Sequence, residues 1–283
     1  MKNYKDYPYN QVCFKASHNS YDTAVYGISI SQQLEKNCRG LELDIAQSSD
    51  RKKWSVAHNL RYFDNVDRQF ARYLDELNTW SSKNSGHDVI TVHLDLKLVI
   101  DESNTSSFPE QIDEYIQNNF DLAKIYCPSD LMGKKVSLAH GARTYGWPKL
   151  KELDNKFIFC LTGNDLFNPK QPAKTHYANT QPKKRLCFSD IRNNKNKKPS
   201  PGKHIYFNYD FRKVIPPRSK IDEKNWPDVI KPFVGKSDVI TRGYLLNSKK
   251  SWDKALKSGF NILVTDEISE IWANVGSDPF KIL

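Results

Sequence analysis

The pattern is plainest in the middle of the chain. In DVITVHLDLKLVI (88–100), Val92, Leu94 and Leu96 alternate with His93, Asp95 and Lys97. Successive strand side chains point to opposite faces, so this stretch reads as a β-strand with one apolar and one polar face. RGLELDIA (39–46) repeats the pattern, with Leu41, Leu43 and Ile45 on one side and Glu42 and Asp44 on the other. VCFKASH (12–18), WSVAH (54–58), KKVSLAHGAR (134–143), KFIFCLTG (156–163), RLCFSDI (185–191), KHIYFNYD (203–210), DVITRGYLLN (238–247) and FNILVTDEI (260–268) also read as extended.

Between these runs the period changes. Val66, Phe70, Tyr73, Leu74 and Leu77 recur at helical spacing and predict a helix over 65–80. Helices are also predicted over 23–37, over 108–120 with Pro109 in the first turn, and over 147–155 and 224–234. A last one, over 251–259, ends at Gly259. Strands alternating with helices indicate parallel βαβ units. About nine strands over one domain length predict a single α/β domain across 1–283, an irregular (β/α)8 barrel of TIM type. An open doubly wound sheet is the alternative. No strand runs into a GxGxxG or GxxxxGK[ST] loop, which removes support for nucleotide-binding folds. The polar stretch 163–184 reads as a long functional or mobile loop.

Composition narrows the field. With 38% hydrophobic and 27% charged residues the chain can bury enough apolar surface to fold. No apolar run approaches the roughly 18 residues of a membrane span. MKNYKDYPYN lacks the apolar core of a signal peptide, so a cytoplasmic protein and a secreted one stripped of its leader are both open. The net charge of +10 favours an anionic partner, although PKKR (182–185) and RNNKNKKPSPGK (192–203) each read as solvated loops. The five cysteines are odd in number and contain no CxxC, which argues against a disulfide scaffold and leans toward a reducing compartment. No feature speaks to oligomeric state.

Chemistry-bearing groups collect at the ends of predicted strands: His18 and Asn19, Glu42 and Asp44, His58, then Asp95. In a barrel that end carries the active site. Glu42 and Asp44 share a strand face. With Asp95 and the Asn19 amide they make an oxygen-only donor set, suited to a hard cation such as Ca²⁺ or Mg²⁺. Taken singly, each has a plain structural explanation: an acidic pair neutralised by Arg39 or a lysine, a strand-end cap, and for His93 a satisfied core histidine. Six such groups at successive strand ends are harder to explain that way. Lys97, on the Asp95 face, and Arg143 and Arg242, near later strand ends, are candidate phosphate contacts. Tyr206, Asn208 and Tyr244 are candidate rim contacts.

SHNSY, then CRGLELDI, then VAH resemble the catalytic X region of phosphoinositide-specific phospholipase C, in its bacterial calcium-dependent branch. The likeness covers about residues 12–97, a third of the chain. TRGYLL and SGFNILVTDE resemble the end of the same barrel more loosely, and the middle shows no such motif. The resemblance implies a TIM-like barrel and a calcium-dependent phosphodiesterase, with magnesium as the alternative ion. Its substrate would be an anionic phospholipid at a membrane surface, with no nucleic-acid partner. It implies that His18 stabilises charge on the phosphoryl oxygens and that Asn19, Glu42 and Asp44 bind the metal. His58 would be the general acid on the leaving alkoxide, and an acidic residue on the next strand, here Asp95, the fourth ligand. The family usually has glutamate at that step, and often glycine where Asn59 follows His58.

The chemistry stands without the family. A histidine near neutral pKa can protonate a leaving oxygen, and a second, held protonated, can stabilise a pentavalent phosphorus. On an inositol lipid the neighbouring ring hydroxyl would attack, with Glu42 or Asp95 taking its proton. Glycerophosphodiester phosphodiesterases and sphingomyelinase D-like enzymes share the His, E-x-D, His pattern. The former begin with HRG, absent at His18, and Asn19 favours phospholipase C over both. A non-catalytic, basic membrane-binding barrel is the third reading. It has no need for both histidines.

Overall fold

The computed structural model describes residues 3–48, 52–58, 68–99, 107–163, 173–192, 202–210 and 238–283. Eight parallel strands form its centre: β1 (Val12–Ser17), β2 (Gly40–Gln47), β4 (Ile90–Leu98), β5 (Phe157–Thr162), β6 (Phe188–Arg192), β7 (Tyr206–Asp210), β8 (Ile240–Tyr244) and β9 (Ile262–Thr265). They follow the order β1-β9-β8-β7-β6-β5-β4-β2, and pairing of β1 with β2 closes the barrel. Two short strands attach antiparallel outside the ring, β3 (Trp54–Val56) on β2 and β10 (Phe280–Ile282) on β1. The expected (β/α)8 barrel is the observed fold.

The seam explains one glycine. Ala16 pairs with Gly40 where β1 meets β2, and a Cβ on Gly40 would lie 2.5 Å from the Ala16 Cβ. Only a residue without a side chain lets the strands approach there.

Inward and outward faces follow the alternation. Leu41, Leu43 and Ile45 of β2 and Val92, Leu94 and Leu96 of β4 pack outward beneath α3 (Phe70–Lys83) and α4 (Phe108–Asn119). Each such fully buried side chain contributes about 1.5–3 kcal/mol. Phe14, Ile158, Phe188, Tyr206 and Ile240 fill the inside, together with Tyr9 and Trp147, which lie outside the strands. Trp147 meets Tyr206 edge-on at 6.1 Å and Tyr9 at 5.1 Å, and the Tyr9 hydroxyl bonds Thr91 Oγ1 at 2.7 Å. This plug seals the N-terminal end of the strands and leaves polar side chains to the C-terminal end.

Four expectations need correction. The predicted helix over 23–37 is two, α1 (Thr23–Tyr26) and α2 (Ile30–Glu35), because Ser29 and Gln32 make a capping box that starts the second one afresh. KKVSLAHGAR is not a strand. Ser137 caps α6 (Leu138–Tyr145), which follows the short α5 (Pro128–Met132), and Leu138, Ala139 and Ala142 bury one helical face. The alternation of Val136 and Leu138 with polar neighbours imitated a strand, yet Val136 is exposed. The polar stretch 163–184 contains α7 (Ala173–Asn179) and a 3-10 turn (Pro182–Lys184). Within PKKR, Arg185 is buried against Glu110 at 2.7 Å and Asp113 at 3.1 Å, so that run is not wholly a solvated loop. The predicted helix over 224–234 and most of the basic run 192–203 lie outside the described residues.

The last helix, α8 (Lys249–Ser258), ends at Gly259 as expected. None of the five cysteines is disulfide-bonded, and Cys13, Cys38, Cys160 and Cys187 are buried. Among the described residues no helix is long and apolar enough to cross a membrane.

Candidate active site

The SHNSY turn is held by its two serines. Ser17 Oγ and Ser20 Oγ lie 2.6 Å apart, and Ser20 Oγ accepts the Glu42 amide at 2.8 Å. The Ser20 amide donates to the Glu42 carbonyl at 2.8 Å. The turn thereby rides on β2, and Asn19 takes a left-handed φ of 48°. Asparagine tolerates that conformation better than most side chains. Its Oδ1 is buried and finds no hydrogen-bond partner among the described residues.

Glu42 and Asp44 point into the barrel from β2 and are buried. Asp44 gathers its donors on one oxygen. Oδ2 receives the Tyr21 hydroxyl at 2.9 Å, His58 Nδ1 at 2.7 Å and the Lys97 ammonium at 3.3 Å. Oδ1 is buried without a partner among the described residues. Burial and the Asp44 charge push the Tyr21 phenol far above its ordinary pKa, so it stays a donor. His58 reaches Asp44 because β3 folds back on β2 and the Ala57 amide bonds the Asp44 carbonyl at 2.9 Å.

Asp95 enters from β4, level with Asp44. Its Oδ1 lies against Gly163, where a Cβ would come within 1.8 Å, and its Oδ2 accepts Lys97 Nζ at 2.7 Å. Burial pulls the Lys97 pKa down, but Asp95 and Asp44 outweigh it and hold the ammonium above its usual value. Arg242, inward on β8, donates to Glu42 Oε2, and its guanidinium lies 5.4 Å from the centre of the Tyr244 ring.

His18 follows β1, its Nδ1 2.9 Å from Asp266 Oδ1. Burial pulls its pKa down, but the Asp266 hydrogen bond and the charges of Glu42 and Asp266 raise it on balance. Asp266 is correspondingly lowered: burial opposes, and the hydrogen bond to His18 prevails. Asn247 and Tyr26 complete the support, Asn247 on Asp266 and Tyr26 on the His18 carbonyl.

The structure thus brings together His18, Asn19, Glu42, Asp44, His58, Asp95, Lys97 and Arg242. It does not bring Arg143 to them. That residue sits on α6 and pairs with Asp238, just before the N-terminal end of β8, at 2.6 Å. Tyr206 is not at the rim either, being buried against Trp147 and Phe188. Asn208 is buried and donates to Thr162 Oγ1 at 3.2 Å. His93 is buried as expected but not satisfied, since neither ring nitrogen has a partner among the described residues. Burial and the Arg242 charge lower its pKa well below the usual value. Sequence reasoning missed Asp266, Tyr21 and Tyr26. Asp266 had a signal, since VTDE places it directly after the last barrel strand. Tyr21 stood inside SHNSY unassigned.

A hard cation fits these donors. One oxygen each from Glu42, Asp44 and Asp95 lie within 4.8 Å of one another. Calcium holds oxygens at about 2.3–2.6 Å, so two of its ligands lie at most roughly 5 Å apart, whereas magnesium demands a tighter set. The Oδ1 atoms of Asn19 and Asp44 are buried acceptors that no donor among the described residues satisfies.

A closed parallel barrel with two carboxylate-held histidines beside an oxygen-only cation cluster is the arrangement of a metal-assisted phosphodiesterase. The family model for Ca²⁺-dependent phosphoinositide phospholipase C matches residues 61–202, half of the chain. The chain belongs to that family, and it is a phosphoric diester hydrolase of phospholipase C type that depends on calcium. The matched region begins after His58 and takes in the middle, where no motif was legible. Among curated proteins none matches.

Solved structures share the fold. A calcium-dependent phosphoinositol-specific phospholipase C from a Gram-negative Pseudomonas species is 19% identical with a TM-score of 0.77, covering 100% of this chain and 98% of that one. The Ca²⁺-dependent phosphatidylinositol-specific enzyme of Streptomyces antibioticus is 16% identical with a TM-score of 0.73, covering 95% and 97%. A glycerophosphodiester phosphodiesterase from Parabacteroides distasonis is more distant, at 12% identity and a TM-score of 0.55, covering 92% and 96%.

Proposed function

We propose that the whole chain acts as one catalytic barrel that cleaves a phosphatidylinositol-like lipid at a membrane surface, on the diacylglycerol side of the phosphate. One observation carries the assignment of roles. His18 and His58 each have Nδ1 on a carboxylate, Asp266 and Asp44, which leaves both Nε2 atoms for substrate.

Asn19, Glu42, Asp44 and Asp95 would hold calcium, which when bound neutralises phosphate charge and acidifies the attacking hydroxyl. The inositol hydroxyl next to the phosphate attacks phosphorus, and Glu42 or Asp95 accepts its proton. His18, kept cationic by Asp266, donates Nε2–H to a phosphoryl oxygen as charge builds there. His58 gives its Nε2 proton to the departing glycerol oxygen, so diacylglycerol leaves neutral and a cyclic inositol phosphate remains. Asp44 fixes the His58 ring for that transfer. Arg242, which reaches the cluster through Glu42, would be a contact for the phosphate or head group, with the Tyr244 ring beside it. The net charge of +10 agrees with an anionic bilayer.

The test is hydrolysis of phosphatidylinositol vesicles with calcium or with EDTA. Release of inositol phosphate that needs calcium is expected. His18→Ala and His58→Ala should each lower it about 10²–10⁴-fold with the circular dichroism unchanged. Turnover within a fewfold of wild type in either variant would remove that histidine from the mechanism.

A further inference from the structure

Lys97 holds an unusual place in the cluster. Its ammonium contacts Asp95 Oδ2 at 2.7 Å and Asp44 Oδ2 at 3.3 Å. The other oxygen of Asp95, Oδ1, lies on the Gly163 side. Lys97 therefore sits on two of the three carboxylates that could hold a cation. Arg242 makes a similar contact to Glu42, but both partners of that pair are almost fully buried, with side chains 3% and 4% exposed. Lys97 and Asp95 lie nearer the mouth, at 17% and 16%, and a lysine stem has four rotatable carbons to swing on.

We propose that Lys97 is a tethered counter-ion that competes with calcium for Asp95. Resting on the carboxylates, it neutralises part of the like-charge repulsion among Glu42, Asp44 and Asp95, and it weakens the site for the ion. Calcium entry displaces the ammonium from Asp95 Oδ2. The freed ammonium remains one side chain's length from the cluster, where it can meet the phosphate of the lipid. Ion binding and phosphate binding are thus coupled through one side chain: calcium releases the group that helps receive substrate. The idea rests on the phospholipase C reading, and it predicts an effect of unusual sign. Removing a group that merely supports the site would weaken calcium binding. Removing a competitor tightens it.

The experiment is calorimetric titration of the full-length protein with calcium chloride, alongside thermal unfolding in EDTA. Lys97→Met and Lys97→Gln remove the charge, the second keeping a hydrogen-bond donor for Asp95, while Lys97→Arg keeps both. Calcium should bind both neutral variants roughly tenfold more tightly than wild type, as expected when a like charge leaves the site. Their melting temperature in EDTA should fall, and calcium should restore it. Lys97→Arg should stay close to wild type in both measurements. Calcium affinity that is unchanged or weaker in the neutral variants overturns the proposal, even if the KM for lipid rises, since Lys97 would then be a phosphate contact alone. A wild-type protein that takes up no calcium would instead overturn the underlying metal reading, and the proposal with it.

Discussion

Asp190 on β6 and Asp44 on β2 are both buried carboxylates of the same barrel, and their surroundings treat them in opposite ways. Asp190 has one donor for each oxygen, Lys174 Nζ on Oδ1 at 2.7 Å and Thr162 Oγ1 on Oδ2 at 2.6 Å. Among the described residues, Asp44 has three donors on Oδ2 and none on Oδ1. A buried carboxylate satisfied on both sides is a finished structural element. One whose donors crowd onto a single oxygen leaves the other as a free acceptor among the described residues. The same barrel wall therefore holds a closed ion pair and a carboxylate cluster that could take a cation, and the placement of donors tells them apart where residue type does not.

That contrast can be broken by mutation. Asp190→Asn strands the Lys174 ammonium in the wall and should cost about 3–5 kcal/mol in urea unfolding, while calcium affinity by calorimetry stays at the wild-type value. A loss of calcium binding there would mean the two sites are one. Gly163→Ala attacks the open site from behind. Its Cβ would fall 1.8 Å from Asp95 Oδ1, and the backbone φ of 86° is strained for alanine by about 1–2 kcal/mol. Calcium binding should weaken and stability fall by roughly that amount; unchanged calcium binding would exclude Asp95 from the ligand set.

Asp266→Asn should have the smallest effect and the sharpest reading. Asp266 holds the His18 pKa above the free value, so the imidazolium persists above its ordinary range. The stability linked to it is fully present below the unfolded pKa near ~6.5 and is lost as pH rises through the higher folded value. If His18 acts as a cation, kcat/KM falls over that same alkaline limb. Replacing Asp266 should move the limb to lower pH and erase the matching slope in stability, read by pH–rate profiles and by NMR titration of His18. A limb that does not move would take the His18 charge out of catalysis.

Much of the site was legible because strand alternation is rigid. ELD on β2 and the His93, Asp95, Lys97 face of β4 point inward as their spacing requires, and the strand-end position of His18 and His58 follows from the same reading. Arg143 failed for a local reason: it was assigned to a strand end, and its segment is a capped helix at the other end of the barrel. VTDE alone gives Asp266 no role, because the need for it arises only when β9 lies beside β1 and His18 turns toward it.

By itself the sequence determined the alternating faces, the barrel class and the residue types of an oxygen-only site with two histidines. These depend on local backbone geometry and side-chain chemistry, which the chain carries wherever it goes. Tertiary structure alone decided which partner each carboxylate meets. That choice is made by groups distant in sequence, such as Tyr21 on Asp44, Gly163 behind Asp95 and Arg242 on Glu42. Closing the barrel is what brings them within hydrogen-bonding distance.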